Sequence, residues 1–254
     1  MTLRQRGPRR LVTRSVCGRL SRYRGGVKIV ILAAGVGSRL GTPYPKPLTE
    51  LSDGRTIMGR QLDILSLSFE PSVVSVVVGF KKDMIMEAFP DVSFIYNQNF
   101  GETNTSKSLL KGLRQTGADP VLWLNGDVVF EPDLVSILLP HVASDRSFVA
   151  VNTATVGEEE VKYDVDSGGF IRQLSKTVDG ALGEAVGINY VSAADKPFLI
   201  ARLEDCTDDD YFERGIELII DKDNRRFSAV DVSASVCIEV DFADDLARAN
   251  QAIR

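Results

Sequence analysis

Lys28-Ile29-Val30-Ile31-Leu32-Ala33-Ala34-Gly35-Val36-Gly37-Ser38-Arg39-Leu40 opens as a short apolar run and breaks at once into small residues and two glycines. Such a run, bounded by a glycine turn, predicts a buried β-strand at Lys28 to Ala33. Outward from it the pattern keeps switching period. Further strands are predicted at Val73 to Gly79, Val92 to Tyr96, Val121 to Leu124 and Phe148 to Thr153. Helical periods fall between them, at Ile57 to Phe69, Met84 to Phe89, Ser106 to Arg114 and Pro132 to Leu139. Strand, helix, strand in succession implies parallel pairing through right-handed crossovers. The expected fold class is therefore α/β: a single domain with a mostly parallel twisted sheet and helices on both faces. After about residue 155 a small β-hairpin insertion is predicted, Val161 to Val165 and Phe170 to Leu174, around Asp166-Ser167-Gly168-Gly169. Helices at Ala194 to Leu203 and Tyr211 to Ile220, strands at Phe227 to Val232 and Val236 to Val240, and a helix at Ala243 to Ile253 complete the reading.

The 254 residues are 44% hydrophobic and 26% charged, which excludes a disordered or collagenous chain. The longest apolar stretches, Ile29 to Val36 and Val73 to Phe80, fall far short of the roughly 20 residues that cross a bilayer. No membrane partner is expected. Cys17, Cys206 and Cys237 are odd in number and widely spaced, which encodes neither a disulfide framework nor a zinc site and suits a cytoplasmic location. The net charge of -5 is uneven: residues 1–26 hold eight arginines and no acid, and the rest of the chain is strongly acidic. The chain thus divides into a basic arm over 1–26 and one folded domain over 27–254. The arm reads as a solvated tail or an over-long start, with initiation near Val27, ahead of a tether or transit peptide. An acidic body makes nucleic acid an unsuitable partner.

Ligands of an open parallel sheet bind where strands end, so the loop after Ala33 is the first place to look. Gly35 and Gly37 let backbone N–H groups approach an anion, and Arg39 and Lys46, the latter held between Pro45 and Pro47, add positive charge. A polyphosphate fits that loop. The spacing matches neither the dinucleotide fingerprint nor the P-loop. It resembles instead the nucleotidyltransferase family that joins a nucleoside monophosphate to a phosphorylated sugar, polyol or amino alcohol, whose signature L-A-A-G-x-G-[ST]-R-[LM] and later P-K-P-L stand nearly intact. Asn125-Gly126-Asp127, Gly183-Glu184-Ala185-Val186-Gly187-Ile188, Tyr211-Phe212-Glu213 and Ile238-Glu239-Val240-Asp241 extend the resemblance over about residues 27–253. Their order is most similar to the phosphocholine cytidylyltransferase-like branch.

The resemblance implies the Rossmann-like fold of nucleotide-diphospho-sugar transferases and a magnesium-dependent transfer that releases pyrophosphate, with CTP favoured. Its partners are a nucleoside triphosphate and a small phosphorylated acceptor. Attack by one anion on another needs a divalent cation, and Mg2+ takes oxygen ligands; Asp127 and Asp241 are the implied pair, though Asp241 could equally cap the closing helix. Leu32, Ala33, Ala34, Gly35, Gly37 and Ser38 are implied to bind the nucleotide, with Gly79 against the base and Asn104, Thr105 and Ser106 at a helix start. Ordinary turn-making and N-capping explain those last four positions as well. Arg39, Lys46 and Lys176 are the implied catalytic cations, and Lys176, Glu184 and Glu213 the acceptor residues. Few rings are placed for an ammonium cage: Tyr163, Tyr190, Tyr211 and Phe212, with Trp123 expected in the core. Arg214 after Glu213 also suits a neutral or anionic acceptor. A phosphorylated polyol, sugar or phosphonate is thus expected ahead of phosphocholine. Two other functions are weighed. A glycosyltransferase of the same fold would want Asp-x-Asp where Asn125-Gly126-Asp127 stands, and a non-catalytic nucleotide sensor would not need Arg39, Lys46, Asp127 and Asp241 together. His141, the sole histidine, is expected in a loop after a helix ending before Pro140.

Overall fold

A computed structural model describes Tyr23 and residues 25–154, 156–157 and 160–253; residues 1–22 and 24 of the expected arm, Cys17 among them, lie outside the described residues. The first half alternates as the pattern predicts: β1 (Lys28–Ala33), α1 (Ile57–Ser66), β2 (Val74–Val78), α2 (Lys82–Ala88), β3 (Ser93–Tyr96), α3 (Thr105–Gln115) and β4 (Val121–Asn125). The chain continues through β5 (Val128–Phe130), α4 (Pro132–Ala143), β6 (Phe148–Asn152), β7 (Lys162–Val165), β8 (Ile171–Ser175) and β9 (Gly183–Val191). It closes with α5 (Lys196–Asp205), α6 (Phe212–Asp223), β10 (Ser228–Asp231), β11 (Cys237–Glu239) and α7 (Ala243–Ala252).

Among the described residues, nine strands form one mostly parallel sheet, in the order β10-β6-β9-β4-β1-β2-β3, with the β7–β8 hairpin attached to β9. The chain leaves β1 toward β2 and β3, then returns to lay β4 on the other side of β1. That reversal makes a switch point whose crevice opens at the carboxyl ends of β1 and β4. Leu32 is level with Asn125 across the pair, so the loops after both strands start at the same height. β1 alternates its side chains between two cores. Ile29, Ile31 and Ala33 pack with α1, α2 and α4 on one face, and Val30 and Leu32 with α3, α5 and α6 on the other.

Three departures from the pattern have physical causes. β9, predicted as no element, lies between β4 and β6 and is antiparallel to both. Its register with β6 shifts between Val149 and Val151, and Gly187 inside it takes φ +69°. Glycines, Glu184 and Asn189 interrupt its apolar run. α4 runs through Pro140 to Ala143, so His141 is helical, its ring edge-on to Phe148; in a last turn the missing proline N–H forfeits one bond and the helix persists. The third concerns the boundary at Val27. Tyr23 N–H donates to Ser68 O at 2.7 Å and its ring meets Phe69 edge-on at 6.0 Å, so one residue of the expected arm packs on the body. Tyr23→Ala is expected to cost about 1 kcal/mol, lowering Tm by a few degrees in a circular dichroism melt; an unchanged melt would show that the contact contributes nothing.

Candidate active site

A cleft of about 440 Å³ opens at the switch point. The loops after β1 and β4 form one wall. Gly126 N–H donates to Leu32 O at 2.8 Å, and a Cβ at Gly126 would stand 2.9 Å from that oxygen, so only glycine lets the two loops touch. Gly37 takes φ +63° with its Cβ direction 3.1 Å from Lys46 Cβ, which seats the glycine turn against the lysine stem. Asp127 directly follows Gly126, and the carbonyls on either side of this turn are held from beneath. Gln61 of α1, buried, donates Nε2 to Asn125 O at 2.9 Å and to Val128 O at 2.7 Å. Gln61→Leu leaves both carbonyls without that donor and is expected to cost about 2–5 kcal/mol, read as a lower urea midpoint at unchanged m-value; an unchanged midpoint would show that neither bond matters.

Asp127 meets the distant Asp241 through a two-stranded ribbon, of which the sequence pattern predicted the second strand and not the first. β5 pairs antiparallel with β11, Val128 opposite Glu239, and Val240 N–H donates to Asp127 O at 3.0 Å. Asp241 then emerges beside Asp127. It does not cap α7: Asp245 does, accepting from the N–H groups of Asp241 and Phe242 at 3.0 and 2.7 Å. The Asp241 carboxylate instead takes Lys46 Nζ at 2.5 Å and Arg39 Nη1 at 2.7 Å, while Lys46 Nζ also reaches Asp127 at 2.8 Å.

Burial alone would lower the Lys46 pKa, but Asp127 and Asp241 outweigh it and keep the ammonium charged well above the ordinary range. Burial likewise opposes ionisation of Asp241, yet Lys46 and Arg39 hold that carboxyl low. Glu239, which the motif reading quoted and gave no role, joins them. One oxygen each of Asp127, Glu239 and Asp241 lies within 4.8 Å of the others, a separation at which one divalent cation could be shared. Burial first, then the neighbouring acids, push the Glu239 pKa far up. The fit to a hard cation is further supported by the stand-in already present, an ammonium bridging two of the three acids.

The same cleft holds a second set. Lys176 Nζ sits over the Tyr211 ring at 5.4 Å, and Glu213, 8% exposed, turns an oxygen inward that has no hydrogen-bond partner among the described residues. Burial pushes the Glu213 pKa up to about 7. Glu160, a further residue the sequence reading missed, lines the cleft too, its pKa raised by burial and by Glu184. Glu184 accepts from Gly157 N–H at 2.8 Å and is not on the cleft surface. Leu32, Ala33, Gly35, Gly37, Asn104 and Thr105 line the cleft; Ala34, Gly79 and Ser106 do not. Gly79 lies just behind, its Cβ direction 2.6 Å from Ala34 O. Asn104 caps α3 through Thr105 N–H, and Thr105 Oγ1 accepts from Phe212 N–H at 3.1 Å, joining the starts of α3 and α6. Tyr163 and Tyr190 are core residues, and Trp123 meets Phe212 edge-on inside the core. Tyr211 and Phe212 remain at the cleft, while Arg214 points away to Glu217 at 3.2 Å.

Residues 29–209 match the MobA-like NTP transferase domain. The chain belongs to that family. It shares that family's α/β fold. Among curated proteins, the bifunctional protein GlmU of Acidithiobacillus ferrooxidans is 36% identical over 137 residues, 52% of this chain and 28% of that protein. The CMP-5'-(3-aminopropyl)phosphonate synthase of Streptomyces rubellomurinus is 36% identical over 135 residues, 50% of this chain and 21% of that one. These matches thus span under a third of the relatives' own length. Among solved structures, the inositol-1-phosphate CTP transferase of T. maritima superposes with a TM-score of 0.74 at 16% identity, covering 91% of this chain and 100% of the other. The CTP:phosphocholine cytidylyltransferase LicC of Streptococcus pneumoniae gives 0.68 at 18%, covering 90% and 99%. At such identities these likenesses speak for the fold of the NTP transferase domain. No helix among the described residues is long and apolar enough to cross a membrane.

Proposed function

We propose that this protein transfers CMP from CTP to a small acceptor bearing a phosphate or phosphonate, releases pyrophosphate, and uses Mg2+. The observation that carries the reading is the lining of one cleft. Arg39, Lys46 and the glycine turn stand in it with the acids Asp127, Glu239 and Asp241, and the same cleft holds Lys176 beside Tyr211. Two anionic substrates thus find cations in one cleft beside the acids that would hold a metal. CTP is favoured because two fold neighbours are named for it, and the phosphonate synthase named above is a relative with a CMP product.

The bond changes are simple. An acceptor oxyanion forms a bond to the α-phosphorus, the bond between the α-phosphorus and its bridging oxygen to the β-phosphate breaks, and pyrophosphate carries away the electron pair. The attacking oxygen is already ionised, so no side chain need remove its proton. His141, packed in α4 against Phe148, is accordingly not required. Asp127, Asp241 and Glu239 would hold the magnesium ion, which offsets repulsion between the two phosphates when bound. Arg39 places a fixed positive charge beside the phosphates, and the N–H groups of the glycine turn orient them. Lys176 receives the acceptor's anionic group. The ring of Tyr211 already carries the Lys176 ammonium, which leaves little of a cage for a quaternary ammonium and supports a polyol phosphate, sugar phosphate or phosphonate ahead of phosphocholine.

Pyrophosphate release, measured with each of the four triphosphates against inositol phosphate, glucose phosphate, aminopropylphosphonate and phosphocholine, tests the reading. Release with CTP and a non-choline acceptor is the expected result. Best kcat/KM on phosphocholine would overturn the acceptor argument, and transfer of a sugar from a nucleotide sugar would overturn the reaction itself. Lys176→Ala is expected to raise the acceptor's KM about 10-fold or more with CTP binding unchanged; an equal loss of CTP affinity would move Lys176 to the nucleotide.

A further inference from the structure

The acids that would hold a divalent ion already hold a cation. Lys46 Nζ lies 2.8 Å from Asp127 Oδ2 and 2.5 Å from Asp241 Oδ1, and its side chain is only 9% exposed. Arg39 takes the remaining oxygen of Asp241 at 2.7 Å. A magnesium ion shared by the same two carboxylates needs ligand distances of about 2.0–2.1 Å, which places it where the ammonium now sits. Two cations cannot occupy that place together.

The lysine also has somewhere else to go. Pro45 and Pro47 flank it, and the short 3-10 turn Lys46–Leu48 fixes its backbone. Gly37, the turning point of the loop that offers N–H groups to phosphate, lies against its Cβ and Cε at 3.1 and 3.5 Å. The stem is therefore anchored between the acids and the loop, and rotation of a flexible four-carbon chain carries the charge from one to the other.

We infer that Lys46 is the metal's place-holder: without nucleotide its ammonium occupies the divalent-cation position and must leave before a metal can bind there. The departure of Lys46 rests on the nucleotidyl-transfer reading only for its destination, the triphosphate; the exclusion rests on the carboxylates alone. Metal alone binds weakly as a result. A triphosphate that draws Lys46 away raises metal affinity, and by linkage the metal raises triphosphate affinity by the same factor. The lysine also keeps Asp127, Glu239 and Asp241 from facing one another unneutralised while the cleft is empty.

The test uses the full chain with Mn2+ as probe, free Mn2+ being read by electron paramagnetic resonance without nucleotide. Lys46→Met is expected to bind Mn2+ at least about tenfold more tightly than the unsubstituted protein, whereas Lys46→Arg, which keeps the charge, is not. Removing a positive charge away from the cleft should do nothing comparable, so Lys222→Met, in the last turn of α6 and 3.5 Å from Asp205, serves as the control. Lys46→Gln is the second variant, should Lys46→Met fail to melt cooperatively. Tight Mn2+ binding by the unsubstituted protein alone, with a Kd of about 10 μM or below, would overturn the proposal without recourse to any variant. So would Lys46 variants that fold and bind no more tightly. Adding each triphosphate to the unsubstituted protein is expected to tighten Mn2+ binding. A tightening in Lys46→Met with no response to any triphosphate keeps the exclusion and overturns the nucleotidyl-transfer reading instead.

Discussion

Asp127→Asn is expected to reduce pyrophosphate release by roughly 10²- to 10³-fold at saturating magnesium while the chain still folds. The amide keeps the shape of the carboxylate and its carbonyl oxygen still accepts from Lys46 Nζ, which retains Asp241 at 2.5 Å as its ionic partner. The backbone bond from Val240 N–H to Asp127 O is untouched. What disappears is a full negative charge at the point where two phosphates converge. Asp241→Asn should behave alike in turnover, with a somewhat larger loss of stability because Arg39 and Lys46 each lose a charged acceptor, Lys46 keeping Asp127. Turnover close to that of the unsubstituted protein in either variant would remove the shared-metal assignment, and a collapsed melt in Asp127→Asn would show a structural role in its place.

Glu213→Gln is expected to stabilise the protein at neutral pH, and the sign follows from burial. The Glu213 carboxyl is pushed from an ordinary 4.5 up to about 7 by desolvation, partly offset by Lys176. Below pH about 4.5 both folded and unfolded chains hold the proton. Between 4.5 and 7 the unfolded chain has released it and the folded chain has not, so stability falls as pH rises through that window and stays low above it. Glutamine has no proton to lose. The advantage of Glu213→Gln should therefore be near zero at pH 4.5 and reach about 3 kcal/mol above pH 7, or several degrees in Tm for a chain of this size. A difference that does not vary with pH would show that Glu213 is not the group responsible. A stabilised variant that has also lost acceptor affinity would mark the buried carboxylate as a strain retained for binding.

The parallel core was legible because strands buried on both faces read as continuous apolar runs, and β1, β2, β4 and β6 are of that kind. β9 was not legible, since the two glycines and the polar residues within it break the run; Gly183 lies tight against Asn152 of β6, and Gly187 lines the cleft. Gly187 shows this well: a Cβ would stand 2.7 Å from Asn125 Nδ2, so no apolar residue could continue the pattern. β5 is three residues long, too short for any period. The glycine turn, Arg39, Lys46 and the two aspartates stood out as local motifs. Glu239 did not, because its neighbour Asp127 is brought to it by the β5–β11 pairing, and a contact made across the chain leaves no local trace. Glu160 precedes the hairpin in a segment without periodicity, and its place at the cleft comes from the sheet behind it.

The β5–β11 ribbon also sets an order of events during synthesis. The sheet's last strand, β10, ends at Asp231, so every strand of the nine has been made before Cys237 opens β11. A nascent chain made amino end first thus carries Asp127 long before Glu239 and Asp241, and the three acids come together only when the stretch that carries the last two has been made and folds back onto β5.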